Sequence, residues 1–251
     1  MANLLPEDVH RVVSFVPDAL RKIVARDRLI LAGGFIRSIV AQESITDIDL
    51  FGDTIEKLKH AATELALLYK IEKPHRSKNA ITVHAVGRMP VQFITRWLFD
   101  DAANCIASFD FTIARAAIWA VPAPPPAGDF QWMGACDDLF YTDLAAKRLR
   151  YMAPARNEDA GGSMLRVLKF GHRGYTIAPA SLGKVIARMA ERVRWDHGLV
   201  QDETGKAKVL AGLLRQVDPL IAIDGIELAD EEEPDLKEIA PALWPGYREE
   251  T

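Results

Sequence analysis

Apolar residues in the first half of the chain come in short blocks whose spacing switches between a helical and a strand period. Val12, Val13, Val16, Leu20 and Val24 recur at helical spacing within residues 9–25, which predicts an amphipathic helix there. Residues 28–32 form a short apolar strand, and residues 35–42 a helix entered through Gly33 and Gly34. Over residues 47–51 the pattern alternates, turning Ile48 and Leu50 inward and placing Asp47 and Asp49 together on the other face. Gly52 and Asp53 form the turn that follows, and Thr54 caps a helix running to about Tyr69 with Ile55, Leu58, Ala62, Leu65 and Leu68 on its inner side. Residues 80–86 and 91–95 read as two strands of a hairpin joined through Gly87, Arg88, Met89 and Pro90, and residues 100–107 as a helix. Residues 111–121 have no clean period and stay open between strand and helix. This order of elements predicts an α+β fold in which a small mixed sheet is covered by helices.

The strongest punctuation is VPAPPPAGD at residues 121–129, where four prolines among residues 122–126 can continue neither a helix nor a central strand. It predicts a core domain over residues 1–125 and a mainly helical C-terminal region over residues 126–251. In that region helical spacing resumes at 143–152, 164–172, 182–195 and 207–217, with no internal repeat.

Composition changes this picture little. The chain has 251 residues, 49% of them hydrophobic, enough to bury a substantial core without staples. Cys105 and Cys136 are too few for a disulfide framework or a zinc site and read as reduced thiols. No apolar run approaches the length of a membrane span, and the first residues lack the basic region and apolar core of a signal peptide, so a soluble cytoplasmic protein is expected. Charge matters more through its distribution than through its net value of −4. Residues 144–194 carry eleven Lys or Arg against three acids, whereas residues 227–238 carry seven acids and one Lys. Such a basic block suits either a phosphate backbone or a solvated helix face.

The chemistry concentrates in residues 31–52, LAGGFIRSIVAQESITDIDLFG. Two carboxylates on one face of a strand repel unless a cation lies between them, and hard oxygen donors suit Mg²⁺ completed by water and substrate phosphates. Gly33 and Gly34 lack the Cβ that would keep a phosphate away from the backbone, and the helix that follows them directs its N–H groups to the same place.

This stretch resembles the head of the DNA polymerase beta-type nucleotidyltransferases, most closely the branch of tRNA CCA-adding enzymes and bacterial poly(A) polymerases. That branch carries Gly-Gly, an apolar pair, Arg-Asp and then Asp-x-Asp. Here Gly33, Gly34, Phe35, Ile36 and Arg37 match, Ser38 replaces the aspartate, and Asp47 and Asp49 follow. Residues 108–118, SFDFTIARAAI, resemble the branch's Arg-Arg-Asp-Phe-Thr-Ile-Asn-Ala motif through Asp110, Phe111, Thr112 and Ile113, with Phe109 at the second arginine and Ala114 at the asparagine. Residues 163–179 resemble the helix that opens the neck through Leu165, Arg166, Lys169, Phe170 and Arg173.

The resemblance implies a nucleotidyltransferase core followed by a smaller helical region. It also implies Mg²⁺-dependent transfer of a nucleoside monophosphate from a nucleoside triphosphate to an acceptor hydroxyl on RNA, a small molecule or a protein. In that reading Asp47 and Asp49 hold the metal, and Asp110 joins them as a third catalytic candidate. Gly33, Gly34 and Arg37 take the phosphates, with Arg115, Arg166 and Lys169 as further nucleotide contacts. Many such enzymes place another carboxylate on a neighbouring strand, where this sequence offers Gln92. An amide ligates a metal weakly and is no base, so an active enzyme, a nucleotide- or RNA-binding module of the same fold, and an interaction protein with an incidental Asp pair all remain open.

Overall fold

The computed structural model describes residues 1–77, 79–123, 130–153, 160–215 and 236–243. After β1 (Ala2–Asn3), the helical run expected over residues 9–25 is broken into α1 (Pro6–Phe15) and α2 (Asp18–Arg26). Pro17 is the cause: it supplies no N–H to the preceding turn and forces Val16 into an extended conformation at ψ 126°. Next come β2 (Ile30–Ala32), α3 (Gly34–Val40), β3 (Ile48–Phe51) and α4 (Ile55–Leu68). The Thr54 side chain accepts the Lys57 N–H at 3.3 Å, the cap that its position predicted. The chain continues through β4 (His75–Arg76), β5 (Ala80–Val83), β6 (Val91–Ile94), α5 (Ala102–Ala107), β7 (Ala116–Pro122), β8 (Phe130–Cys136) and α6 (Phe140–Ala145). The segment without a clean period resolves into a single 3-10 turn, Thr112–Ala114, followed by β7.

One mixed sheet runs β1-β8-β7-β2-β3-β6-β5-β4, antiparallel throughout except where β3 and β6 lie parallel. Phe35, Phe93, Phe111, Phe140, Leu20, Ile36, Ile48 and Leu50 are among its fully buried side chains. The fold is thus the expected α+β arrangement of a mixed sheet with helices.

The chain divides into two compact units, Met1–Ala146 and Lys147–Thr251. The boundary expected between residues 125 and 126 lies outside the described residues, and β8 beyond it returns to pair with β7 along seven residues. Pro122 fits at the end of β7 because β2 has already left that strand at Trp119, so one side of the strand makes no ladder there. In the second unit, β9 (Arg148–Leu149) pairs parallel with β10 (Thr176–Ile177), and α7 (Ala160–His172), α8 (Pro179–Ala190), α9 (Glu203–Arg215) and α10 (Leu236–Ile239) complete it. Val193, Val200, Val209, Leu213, Ile239 and Leu243 form a core there. The helical spacing over residues 143–152 ends early: Lys147 takes φ 46°, a left-handed stop, and the chain becomes β9. Most of the acidic stretch 227–238 lies outside the described residues.

Two stability measurements follow from this packing. Phe93, fully buried between Leu50 and Ile81 on the flanking strands, should cost about 3–5 kcal/mol when replaced by Ala, read from urea unfolding of the full chain. Burial, with Asp137 and Asp138 adding to it, pushes the Cys136 thiol up to about 11. The neutral thiol is therefore favoured by the fold. Its contribution is complete below about pH 9, is lost as pH rises towards 11, and amounts to roughly 2–3 kcal/mol. The unfolding midpoint between pH 8 and 11 should fall more steeply for the native chain than for Cys136→Ala.

Candidate active site

Three strands bring the polar residues to one end of the sheet. Leu31 on β2 lies opposite Leu50 on β3 in an antiparallel pair, so the chain leaves β2 into Gly33 and Gly34 at the end where Asp47 precedes β3 and Asp49 is its second residue. β6 runs parallel to β3 with Gln92 directly across from Asp49, and β5 sets Thr82 across from Gln92. Residues opposite one another share a face, so Asp49, Gln92 and Thr82 form a polar row. Ile48 and Leu50, both fully buried, occupy the other face.

Asp47 is held by two neutral donors. Thr46 Oγ1 donates to its Oδ1 at 2.8 Å and Gln92 Nε2 donates to its Oδ2 at 3.2 Å. An ionised carboxylate only accepts, which fixes the Gln92 amide with its nitrogen towards Asp47. Thr82 is nine-tenths buried and its hydroxyl has no hydrogen-bond partner. Among the described residues no three His, Cys, Asp or Glu side chains converge as a metal cage. The donor set is instead two carboxylates with an amide beside them, which suits a hard cation that keeps water and phosphate oxygens in its remaining positions.

The diglycine is built for close approach. Gly33 has φ 83° and ψ −134°, a conformation open essentially only to glycine. A Cβ on it would lie 3.0 Å from Cε1 of Phe109. Its N–H donates to the Ala116 carbonyl at 3.1 Å, tying the turn to β7. The Phe109 ring is set edge-on to Phe51, centroids 5.9 Å apart, and Phe51 in turn packs on Phe99. Gly34 begins α3, and a Cβ there would meet the Arg37 guanidinium at 3.7 Å.

Arg37 is buried at 6% exposure. Its Nη2 donates to Ser38 Oγ at 2.9 Å, and its Nε lies 3.6 Å from Glu43 Oε2. The guanidinium therefore borders the diglycine from inside the protein, with Glu43 supplying a carboxylate where position 38 has only a hydroxyl. Asp110 is 3% exposed, in the turn between α5 and the Thr112–Ala114 turn. Arg115 is also engaged, its Nε 3.1 Å from Asp137 and its Nη1 donating to the Phe109 carbonyl at 3.4 Å. Arg166 and Lys169, both half-buried, lie on α7 in the second unit. The first unit thus gathers Gly33, Gly34, Asp47 and Asp49 with Gln92 at one sheet end, with Arg37 behind the glycines. Thr46, Glu43 and the placement of Phe109 were not foreseen. Only Thr46, a hydroxyl next to the first aspartate, left a local signal.

Comparisons with known proteins agree with this architecture. Residues 7–120 match the model of the Gabija anti-defense 2 family, Gad2. No curated protein matches the chain. Among solved structures, the Thermotoga maritima CCA-adding enzyme complexed with tRNA superposes with a TM-score of 0.53 at 17% identity, over 76% of this chain and 46% of that one. A CCA-adding enzyme with ATP gives 0.50 at 19% identity, over 72% and 45%. A tRNA-processing enzyme in an apo form gives 0.50 at 19% identity, over 92% and 62%. The chain spans less than half the length of the first two. The chain shares its fold with these CCA-adding and tRNA-processing enzymes.

The two glycines should respond differently to substitution. Gly33→Ala forces a side chain into a glycine-only conformation and against Phe109, at a cost of about 1–3 kcal/mol. Gly34→Ala, at a helical position with ordinary contacts, should change stability by less than about 1 kcal/mol and in the stabilising direction. Thermal and urea unfolding of the two variants measure the contrast.

Proposed function

We propose that the first unit binds a nucleoside triphosphate with Mg²⁺ and transfers its nucleoside monophosphate to an acceptor hydroxyl. The observation that carries this reading is the Asp47 and Asp49 pair at the start of β3, at the same sheet end as a diglycine whose first residue takes a conformation that only glycine adopts. Asp47 and Asp49 hold the Mg²⁺, which when bound neutralises phosphate charge and polarises the α-phosphate. The backbone of Gly33 and Gly34 receives the β- and γ-phosphates, with Arg37 adding positive charge from behind Gly34. In the transfer, the acceptor oxygen forms a bond to the α-phosphorus and the bond from that phosphorus to the bridging oxygen breaks. Pyrophosphate leaves and the hydroxyl proton passes to solvent. Alignment of acceptor and nucleotide supplies much of the rate.

RNA is a suitable acceptor, since Arg166 and Lys169 on α7 belong to the basic block and solved structures of this fold include a complex with tRNA. Among the described residues no helix is long and apolar enough to cross a membrane. The match of residues 7–120 to the Gabija anti-defense 2 family supports a role in countering that defence, exerted through this nucleotide site. A second reading, a module that binds nucleotide without turnover, is favoured by one feature, the Gln92 amide hydrogen-bonded to Asp47 where a third carboxylate is expected.

Each α-labelled nucleoside triphosphate, incubated with Mg²⁺, RNA and the full chain, should yield labelled RNA and pyrophosphate. Asp47→Ala/Asp49→Ala should lower that yield by about a hundredfold or more. Gly34→Ala should keep its stability yet bind nucleotide about tenfold more weakly, because its methyl group would face the Arg37 guanidinium at 3.7 Å and shield that charge from the phosphates. Nucleotide binding without label transfer selects the second reading. Absence of metal-dependent nucleotide binding removes both.

A further inference from the structure

We infer that Gln92 is a positioning residue that limits the carboxylate pair to a single divalent cation and holds Asp47 ready for it when no cation is present. The inference rests on the reading of Asp47 and Asp49 as a metal–nucleotide site and adds the number of cations that the site takes.

Three observations carry it. First, Gln92 spans the two acids: it sits directly across the parallel ladder from Asp49, and its Nε2 reaches Oδ2 of Asp47 at 3.2 Å. Second, the other Asp47 oxygen accepts from Thr46 at 2.8 Å, so both oxygens of this carboxylate are oriented by neutral donors that leave its charge uncancelled. Third, the row continues on the far side of Gln92 with another neutral group, Thr82, whose buried hydroxyl has no partner. The polar row from β3 to β5 therefore carries its negative charge on the β3 side alone.

Electrostatics then sets the cation count. Two carboxylates carry a charge of −2, which one divalent cation balances. A carboxylate at position 92 would add a third negative charge facing both acids, and the cluster would repel itself strongly without cations and favour a second one. The amide replaces that repulsion with an attraction, so Asp47 keeps its place in the metal-free protein. An amide at position 92 also cannot take up a proton from an acceptor.

The test uses the full chain, Mn²⁺ and a nucleoside triphosphate analogue with a methylene bridge between its α- and β-phosphates. Bound Mn²⁺ is counted by electron paramagnetic resonance, and thermal unfolding is followed with and without the ion. The native chain should take up one tightly bound Mn²⁺ with nucleotide, and Gln92→Glu should take up two. Gln92→Glu should also unfold several degrees below the native chain in chelator and recover most of that difference with Mn²⁺. Gln92→Ala, which has neither charge nor amide, should still bind one Mn²⁺ but several-fold more weakly. A uniform loss of stability with an unchanged Mn²⁺ count in Gln92→Glu would overturn the inference, as would two ions on the native chain. No nucleotide-dependent Mn²⁺ binding by the native chain or either variant would instead overturn the reading of the site itself, and this is the result expected of Asp47→Ala/Asp49→Ala.

Discussion

The register of β3 is the constraint on which the site depends. Ile48 and Leu50 are fully buried, and because side chains alternate along a strand, a slip of one residue would exchange them with Asp47 and Asp49. Burying two uncompensated carboxylates while exposing two aliphatic side chains is costly enough to exclude that alternative. Leu31 opposite Leu50 and Phe93 beside Leu50 fix the same register from both neighbouring strands. The hydrophobic core thus aims the acids. It also determines what lies next to them, since the β2 pairing delivers the diglycine and the β6 pairing delivers Gln92.

Around that frame, positions that depart from the motifs the sequence resembles are filled by neutral or buried groups. Ser38 stands in the place of an aspartate, and Glu43 from the following loop reaches the Arg37 guanidinium. Phe109 stands in the place of an arginine, and its ring occupies the space that a side chain on Gly33 would need. Gln92 stands where a carboxylate is expected and bonds to Asp47. Arg115 is drawn into the interior by Asp137 and the Phe109 carbonyl. These contacts tie the side chains around the site to one another.

The second unit has its own hydrophobic core around Val193, Val209 and Leu213 and carries Arg166 and Lys169 on α7. The chain spans under half the length of two of the solved structures that share its fold.

Local sequence determined those features whose physics is local. Strand alternation placed Asp47 and Asp49 on one face, Thr54 capped α4 as its side-chain oxygen dictates, and the consecutive glycines marked a turn that tolerates no side chain at Gly33. Gly87 and Pro90 likewise marked the connection between β5 and β6. Pro17 had the same local force, yet the helical period on both sides of it hid the break. What tertiary structure alone decided involves partners distant in the chain. Residues 111–121 became a 3-10 turn and a strand because β2 and β8 were there to pair with β7. The segment after the prolines returned to the sheet for the same reason. The Gln92 contact with Asp47 spans 45 positions of sequence, and the approach of Phe109 to Gly33 spans a longer stretch still. Such contacts leave no periodic trace, because they are set by strand register and core packing rather than by the preferences of neighbouring residues.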